Sequence, residues 1–260
     1  MRIALVASQI AAIREPQVGG AQVVVADLAR GLAERGHEVA LFAPAGSAVD
    51  GVTVVDTGVD PAALAESRHR PLAENAPPPV VSDAFRRVFG AVAEGGWDCV
   101  HNHAFDAPAI DAARALRRPV VHTLHLPPER HVAAALALAR SGDATAPLLV
   151  AVSDASARSW QERVPVDAIV RNGVPTRRIP WSAKGGPALL FAGRLSPEKG
   201  ADIAIEIARR TETPLTIVGA AYDAAWAQQL VDGVDSRLVH VVGALPRTAV
   251  WTLMAGAAAL

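Results

Sequence analysis

Leu189-Leu190-Phe191-Ala192-Gly193-Arg194-Leu195-Ser196-Pro197-Glu198-Lys199-Gly200, continuing Ala201-Asp202-Ile203-Ala204-Ile205-Glu206-Ile207-Ala208, reads as a strand, a polar turn and a helix in that order. Residues 188–192 form an unbroken apolar run, the mark of a strand buried on both faces. Beyond the turn the spacing predicts a helix over 200–210. The alternation continues with strand 214–218, helix 223–230, strand 238–242 and helix 246–255. Residues 257–260 read as the start of a fourth strand. A chain of strand–helix units of this kind packs as a parallel sheet covered by helices.

Toward the N-terminus the same grammar repeats. Strands are predicted at 2–7, 38–43, 52–55, 98–102, 119–124, 147–152 and 167–171, with helices at 21–35, 82–94, 107–116, 129–140 and 153–163. Within the first helix Val24, Leu28 and Leu32 recur every four residues and are expected to face the sheet, and Gly36 ends it. Residues 67–81, rich in Pro and charge, read as a surface loop. The Pro/Gly-rich stretch from Asn172 to Pro187 separates the two series. The expected fold class is therefore α/β, with two Rossmann-like, doubly wound parallel-sheet domains. Their expected bounds are 1–172 for an acceptor-side domain, 173–187 for a linker and 188–260 for a partial donor-binding domain. In a doubly wound sheet the first strand has neighbours on both sides. With the later strands absent, strand 188–192 is thus expected as an open edge, so that the chain either self-associates through it or leaves its C-terminal part poorly packed.

Composition narrows the class. The chain has 260 residues, half of them apolar, and a formal net charge of −1. That balance gives no general attraction to nucleic acid or to an anionic surface. One cysteine, Cys99, excludes an internal disulfide framework and suits a reducing cytoplasm. Mid-strand in the reading above, it is expected to be core. No apolar run approaches the roughly 20 residues of a membrane span, and the N-terminal run is too short for a signal peptide.

Three places carry groups with chemical potential. Gly19-Gly20-Ala21-Gln22 ends the loop after the first strand and opens a helix. A helix N-terminus offers free N–H groups and partial positive charge, and two glycines let an anion approach. The plainer reading is a strand-to-helix turn. No G-x-G-x-x-G is present here, which argues against a nicotinamide enzyme. The second place is Gly193 to Gly200, at the carboxyl edge where open α/β sheets bind ligands. Arg194 and Lys199 are two cations five residues apart, suited to a diphosphate; the plainer reading pairs Lys199 with Glu198. The third is His101-Asn102-His103 with His122-Thr123-Leu124-His125. Residues i and i+2 share a strand face, so a histidine metal site, buried histidines bonded to backbone, and a polar cleft lining for sugar hydroxyls are all open. Of the acidic residues that would complete a metal site, only Asp106 and Glu129 are near in sequence. Ser153 reads as a helix N-cap, and Trp160, Trp181, Trp226 and Trp251 form no stacking platform.

Taken in order, GGAQVVVADLARGLAERGHEV (19–39), VVHTLH (120–125), AVSDAS (151–156), VRNGVP (170–175), LLFAGRLSPEKGADIAIEIA (189–208) with LTIVG (215–219), and VHVVGAL (239–245) resemble the retaining GT-B glycosyltransferases of the group 1, family 4 type. The resemblance implies a nucleotide-diphosphate sugar donor between two Rossmann-like domains, with retention of configuration and no cofactor. It implies that Arg194 and Lys199 hold the diphosphate and that Gly19 and Gly20 present backbone N–H groups to it. Gly193 and Gly219 belong to the same donor set. His125 is implied beside the donor sugar, and Gln22 and His103 on the side of a small-molecule, lipid or saccharide acceptor. The family usually needs no metal, and the departing phosphate is thought to take the acceptor's proton. The family continues with a Glu-x7-Glu element, whose counterpart would fall after Leu260, so the second domain is expected to be truncated. Alternatives are a non-catalytic nucleotide-sugar-binding remnant and a GT-B epimerase or nucleotide-sugar hydrolase; the last would need a carboxylate pair that the sequence does not offer.

Overall fold

A computed structural model describes residues 1–17, 19–68, 79–141, 146–221, 223–232 and 234–260. The chain divides into two compact units. The first comprises Met1–Arg14 and Gly19–Val174; the second is Pro175–Leu260, with which the segment beginning at Glu15 also clusters.

The first unit is built on a seven-stranded, wholly parallel sheet: β1 (Arg2–Val6), β2 (Glu38–Ala43), β3 (Thr53–Asp56), β4 (Cys99–Asn102), β5 (Val120–Leu124), β6 (Leu148–Ala151) and β7 (Ala168–Ile169). Their order is β3-β2-β1-β4-β5-β6-β7. Strand order reverses between β1 and β4, and ligands of open α/β sheets bind outside the carboxyl ends at such a point. Five helices connect the strands: α1 (Gly20–Glu34), α2 (Pro79–Glu94), α3 (Ala107–Ala113), α4 (Arg130–Arg140) and α5 (Asp154–Gln161). One cluster under α2 and α3 joins Val6, Phe42, Phe85, Phe89 and Val100. Another under α1 joins Leu5, Val25, Ala26, Ala29 and Leu41.

Local chemistry explains the boundaries. The Ser153 hydroxyl accepts from Ser156 N at 3.0 Å and caps α5 as expected. Glu129 caps α4 with both carboxylate oxygens, on His131 N and Val132 N. Gly36 ends α1, its N–H bonding the Ala33 carbonyl at 2.9 Å. Three expectations change. The buried face of α1 is Gln22, Val25, Ala26 and Ala29, while Leu28 and Leu32 pack only at its margin; small residues let the helix lie closer to the sheet than leucines would. Cys99 opens β4 and is half-buried, so it is not central core. Of residues 67–81, a 3-10 helix ends at Arg68 and α2 begins at Pro79, where the missing proline N–H costs nothing; 69–78 fall outside the described residues.

The second unit holds β8 (Leu189–Ala192), α6 (Ala201–Thr211), β9 (Leu215–Val218), α7 (Ala224–Val231), β10 (Val239–Gly243) and α8 (Arg247–Ala255). Its parallel sheet has the order β10-β9-β8. Strand β8 is not an open edge throughout. Leu190 N donates to the Ala259 carbonyl at 3.0 Å, and Ala258 N to the Ala188 carbonyl at 2.8 Å. Residues 258 and 259 thus pair beside β8, which satisfies there the groups expected to seek a partner. The core of this unit is Leu195, Ala201, Ile205, Ala208, Leu215, Ile217 and Val239. Among the described residues no helix is long and apolar enough to cross a membrane.

Candidate active site

The loop after β8 is held by backbone pairing to the end of β9 and the chain beyond it. Gly193 N bonds the Val218 carbonyl at 2.9 Å, and Leu195 N bonds Ala220 at 2.9 Å. The β8–β9 ladder is thereby carried past the strand ends, and Arg194 sits at its tip. Gly219 is what permits this approach: a β-carbon there would lie 1.7 Å from the Gly193 carbonyl oxygen. A 3-10 turn, Pro197–Lys199, then leads to Gly200, whose φ of +74° reverses the chain into α6.

Charge in this loop is organised around Glu198. Its carboxylate accepts from the Ser196 hydroxyl at 2.7 Å and lies 3.4 Å from the Arg194 guanidinium. Its pKa is lowered by the Ser196 bond first, and by the charges of Arg194 and Lys199 among lesser causes. The plainer alternative in the sequence paired Glu198 with Lys199; its i,i+4 partner is Arg194. The charges of Arg194 and Lys199 thus both act on the Glu198 carboxylate.

In the first unit, β4 and β5 present alternate residues to opposite faces. On one face Asn102 Nδ2 lies 3.0 Å from His122 Nδ1 and donates to the Ala104 carbonyl at 3.0 Å. On the other, His101 Nε2 is 2.7 Å from Thr123 Oγ1, and His103 Nδ1 is 2.9 Å from His125 Nε2. The four histidines are thus split three to one, not gathered as two converging pairs. Among the described residues no group of three or more His, Cys, Asp or Glu is arranged to hold a metal ion. Burial keeps the rings neutral: the pKa values of His101, His122 and His125 are lowered to about 4, chiefly by desolvation, and His103 is pushed well below its ordinary value. Burial acts the other way on Asp106, raising its carboxyl to about 6. Its Oδ2 is buried without a partner among the described residues.

Gly19 is the extended N-cap of α1 and makes no side-chain cap bond; Gly20 is the first helical residue. Among the described residues, its chain neighbours and own helix backbone aside, no heavy atom lies within 4 Å of where a Gly20 β-carbon would be, while at Gly19 it would meet Gln22 Oε1 at 2.6 Å. Gln22 is buried, at 9% exposure. Sequence reasoning missed Thr123 and Asn102 as partners of the histidines, and Ser196 as the anchor of Glu198. The 22-residue separation of Thr123 from His101 is a strand register, which no local pattern reveals. A separate groove of about 520 Å³ between α2 and α3, lined by Ser82, Arg86, Phe89, Pro108, Asp111 and Leu116 among others, contains none of these groups.

Residues 18–178 match the family model of Glycosyltransferase Family 4. The chain belongs to glycosyltransferase family 4. It is accordingly a transferase of sugars, and the match takes in Gly19, Gly20, Gln22, His103 and His125 but not the loop that bears Arg194 and Lys199. No curated protein matches the sequence significantly. Among solved structures, WaaG, a glycosyltransferase involved in lipopolysaccharide biosynthesis, is 18% identical with a TM-score of 0.67, over 98% of this chain and 73% of that one. AviGT4, a glycosyltransferase involved in avilamycin A biosynthesis, is 22% identical with a TM-score of 0.60, over 98% and 68%. The catalytic domain of starch synthase IV from Arabidopsis thaliana, bound to ADP and acarbose, is 12% identical with a TM-score of 0.61, over 98% and 76%. These likenesses give the family 4 chain the GT-B fold, with a seven-stranded and a three-stranded parallel sheet.

Proposed function

We propose that this family 4 chain transfers a sugar from a nucleotide-diphosphate sugar to an acceptor hydroxyl with retention of configuration. The reading is carried by one observation: Arg194 and Lys199, on the loop after β8 whose backbone pairs with β9, both act on the Glu198 carboxylate. Two cations there balance a diphosphate, each contact contributing roughly 1.5–3 kcal/mol. The solved starch synthase IV domain carries ADP, a nucleoside diphosphate of the proposed class, on a similar fold.

In this reading Gly193 and Gly219 shape the phosphate loop, and Gly19 and Gly20 offer N–H groups at the start of α1. His125 faces the donor sugar; Gln22 and His103 lie toward the acceptor. The bond from the anomeric carbon to the diphosphate breaks, a bond to the acceptor oxygen forms, and the acceptor proton passes to the departing diphosphate oxygen. Neutral, buried histidines suit this scheme, since none is needed as the base. In this scheme no divalent metal is required, because two cations take its electrostatic role. The single cysteine supports a cytoplasmic site of action. Titration with UDP, GDP and ADP beside the matching nucleosides tests the reading. Tight diphosphate and feeble nucleoside binding that persists in chelator is the expected result. Equal affinities, or binding that returns only with manganese, would overturn it.

A further inference from the structure

Two glycines open α1, and their surroundings differ. Gly19 is the N-cap, with φ −149° and ψ 158°. That is extended backbone, which any residue adopts, so the conformation does not call for glycine. The space around it does. A β-carbon on Gly19 would lie 2.6 Å from Gln22 Oε1, 3.6 Å from Gln22 Cδ and 4.0 Å from Gln22 Nε2. All three of the nearest atoms belong to one side chain. At Gly20, the first helical residue, a β-carbon would meet nothing within 4 Å among the described residues, its chain neighbours and own helix backbone aside.

Gln22 is the third residue of α1. In a capping box the side chain at that position folds back over the N-cap, and the Gln22 carboxamide lies over Gly19 in the same way. Gln22 is 9% exposed and belongs to the buried face of the helix, with Val25, Ala26 and Ala29. Among the described residues its carboxamide makes no hydrogen bond. Its place is therefore set by packing, and the bare side of Gly19 is part of that packing. A carboxamide both donates and accepts, so these unspent groups suit a hydroxyl.

We propose that Gly19 is a positioning residue for Gln22: it lacks a β-carbon so that the Gln22 carboxamide lies against the start of α1. The two glycines, adjacent and alike in sequence, thus have separate tasks. Gly19 makes room for a side chain of the protein itself, and Gly20 leaves its own side of the helix end open. The inference rests on the reading of Gln22 as an acceptor-side residue. It holds the group that would meet an acceptor hydroxyl beside the N–H groups assigned to the donor. The clash also says what gives way. An oxygen at 2.6 Å must retreat by roughly 1 Å to reach ordinary contact. It is the far end of a flexible side chain, so Gly19→Ala displaces the carboxamide and leaves the backbone in place.

The test is ¹⁵N–¹H NMR of the Gln22 side-chain amide in the full chain, assigned by its loss in Gln22→Ala. Gly19→Ala should shift that signal, and Gly20→Ala, nearer in sequence, should shift it less. An amide that stays put in Gly19→Ala, or moves as far in Gly20→Ala, would overturn the proposal. If Gly19→Ala does not fold, the double variant with Gln22→Ala decides: a folded double supports the steric account, and an unfolded one overturns it. Titration with UDP, GDP and ADP separates this role from a phosphate role. Any loss of affinity in Gly19→Ala should be at least about twofold smaller in the Gln22→Ala background, the least coupling expected of groups in contact. A loss equally large without Gln22 would show that the anion itself needs the glycine, and would overturn the proposal. If wild type binds none of the three nucleotides, the functional reading fails, and the amide signal still decides the role of Gly19.

Discussion

A β-carbon at position 219 would overlap the Gly193 carbonyl oxygen, so a single methyl group tests how the phosphate loop is made. Gly219→Ala must push the Arg194 loop off β9 or strain the backbone. It should lower stability by about 1–3 kcal/mol, the usual cost of overpacking, and weaken nucleoside diphosphate binding; thermal melts and calorimetric titration measure both. Arg194→Ala should weaken UDP, GDP or ADP by roughly 10- to 100-fold, one charge-assisted contact, and leave nucleosides almost untouched. Lys199→Ala should behave alike, and the double variant should lose less than the sum, because both charges act on one anion. Equal losses for nucleoside and diphosphate in any of the three would remove the phosphate role.

The elements were largely legible because each begins or ends on a residue with a local reason: Ser153 at α5, Gly36 after α1, Gly200 before α6. The strands were legible from unbroken Val, Ile and Leu runs. What stayed hidden depends on register. His101 meets Thr123, and His103 meets His125, only because β4 and β5 pair as Val100 with Val120 and His101 with Val121. The Arg194–Glu198 pair was hidden for a different reason. A turn can aim either cation at the acid, and the Ser196 bond decides which way Glu198 points. One staple between elements illustrates the same limit. Asp167 accepts from Arg140 at 2.6 Å and from Leu149 N at 2.8 Å, tying α4 and β6 to the approach of β7. Its pKa is lowered, first by the Arg140 bond. A depressed carboxyl pKa adds stability that is present above the unfolded value and lost as pH falls through the folded one. Asp167→Asn should therefore cost about 1 kcal/mol at pH 7, and the difference from wild type should shrink below about pH 4. A constant gap in urea midpoint across that range would contradict the account.

For the whole molecule, the buried histidines set the response to acid. His101, His122 and His125 are lowered to about 4 when folded, and burial pushes His103 well below its ordinary value, against about 6.5 in the unfolded chain. Their contribution is complete above that unfolded value and is lost as pH falls from 6.5 toward 4. Asp106 opposes it. Its folded value of about 6 lies above the unfolded one, so the folded chain takes up its proton first and this penalty eases as pH falls. The lowered histidines outweigh Asp106, so unfolding near pH 5 should take up protons and stability should fall as pH falls there. Urea melts between pH 7.5 and 4.5 measure this. A flat profile would mean that the rings are not buried and neutral as described.

The central claim is that a family 4 glycosyltransferase holds the diphosphate of its donor on Arg194 and Lys199. Isothermal titration of wild type and Arg194→Ala with UDP, GDP and ADP, each beside its nucleoside, tests it most directly. The account predicts one diphosphate bound well by wild type, its affinity cut by roughly 10-fold or more in the variant, and nucleoside binding equal in the two. Diphosphate affinity that is the same with and without Arg194 would contradict it.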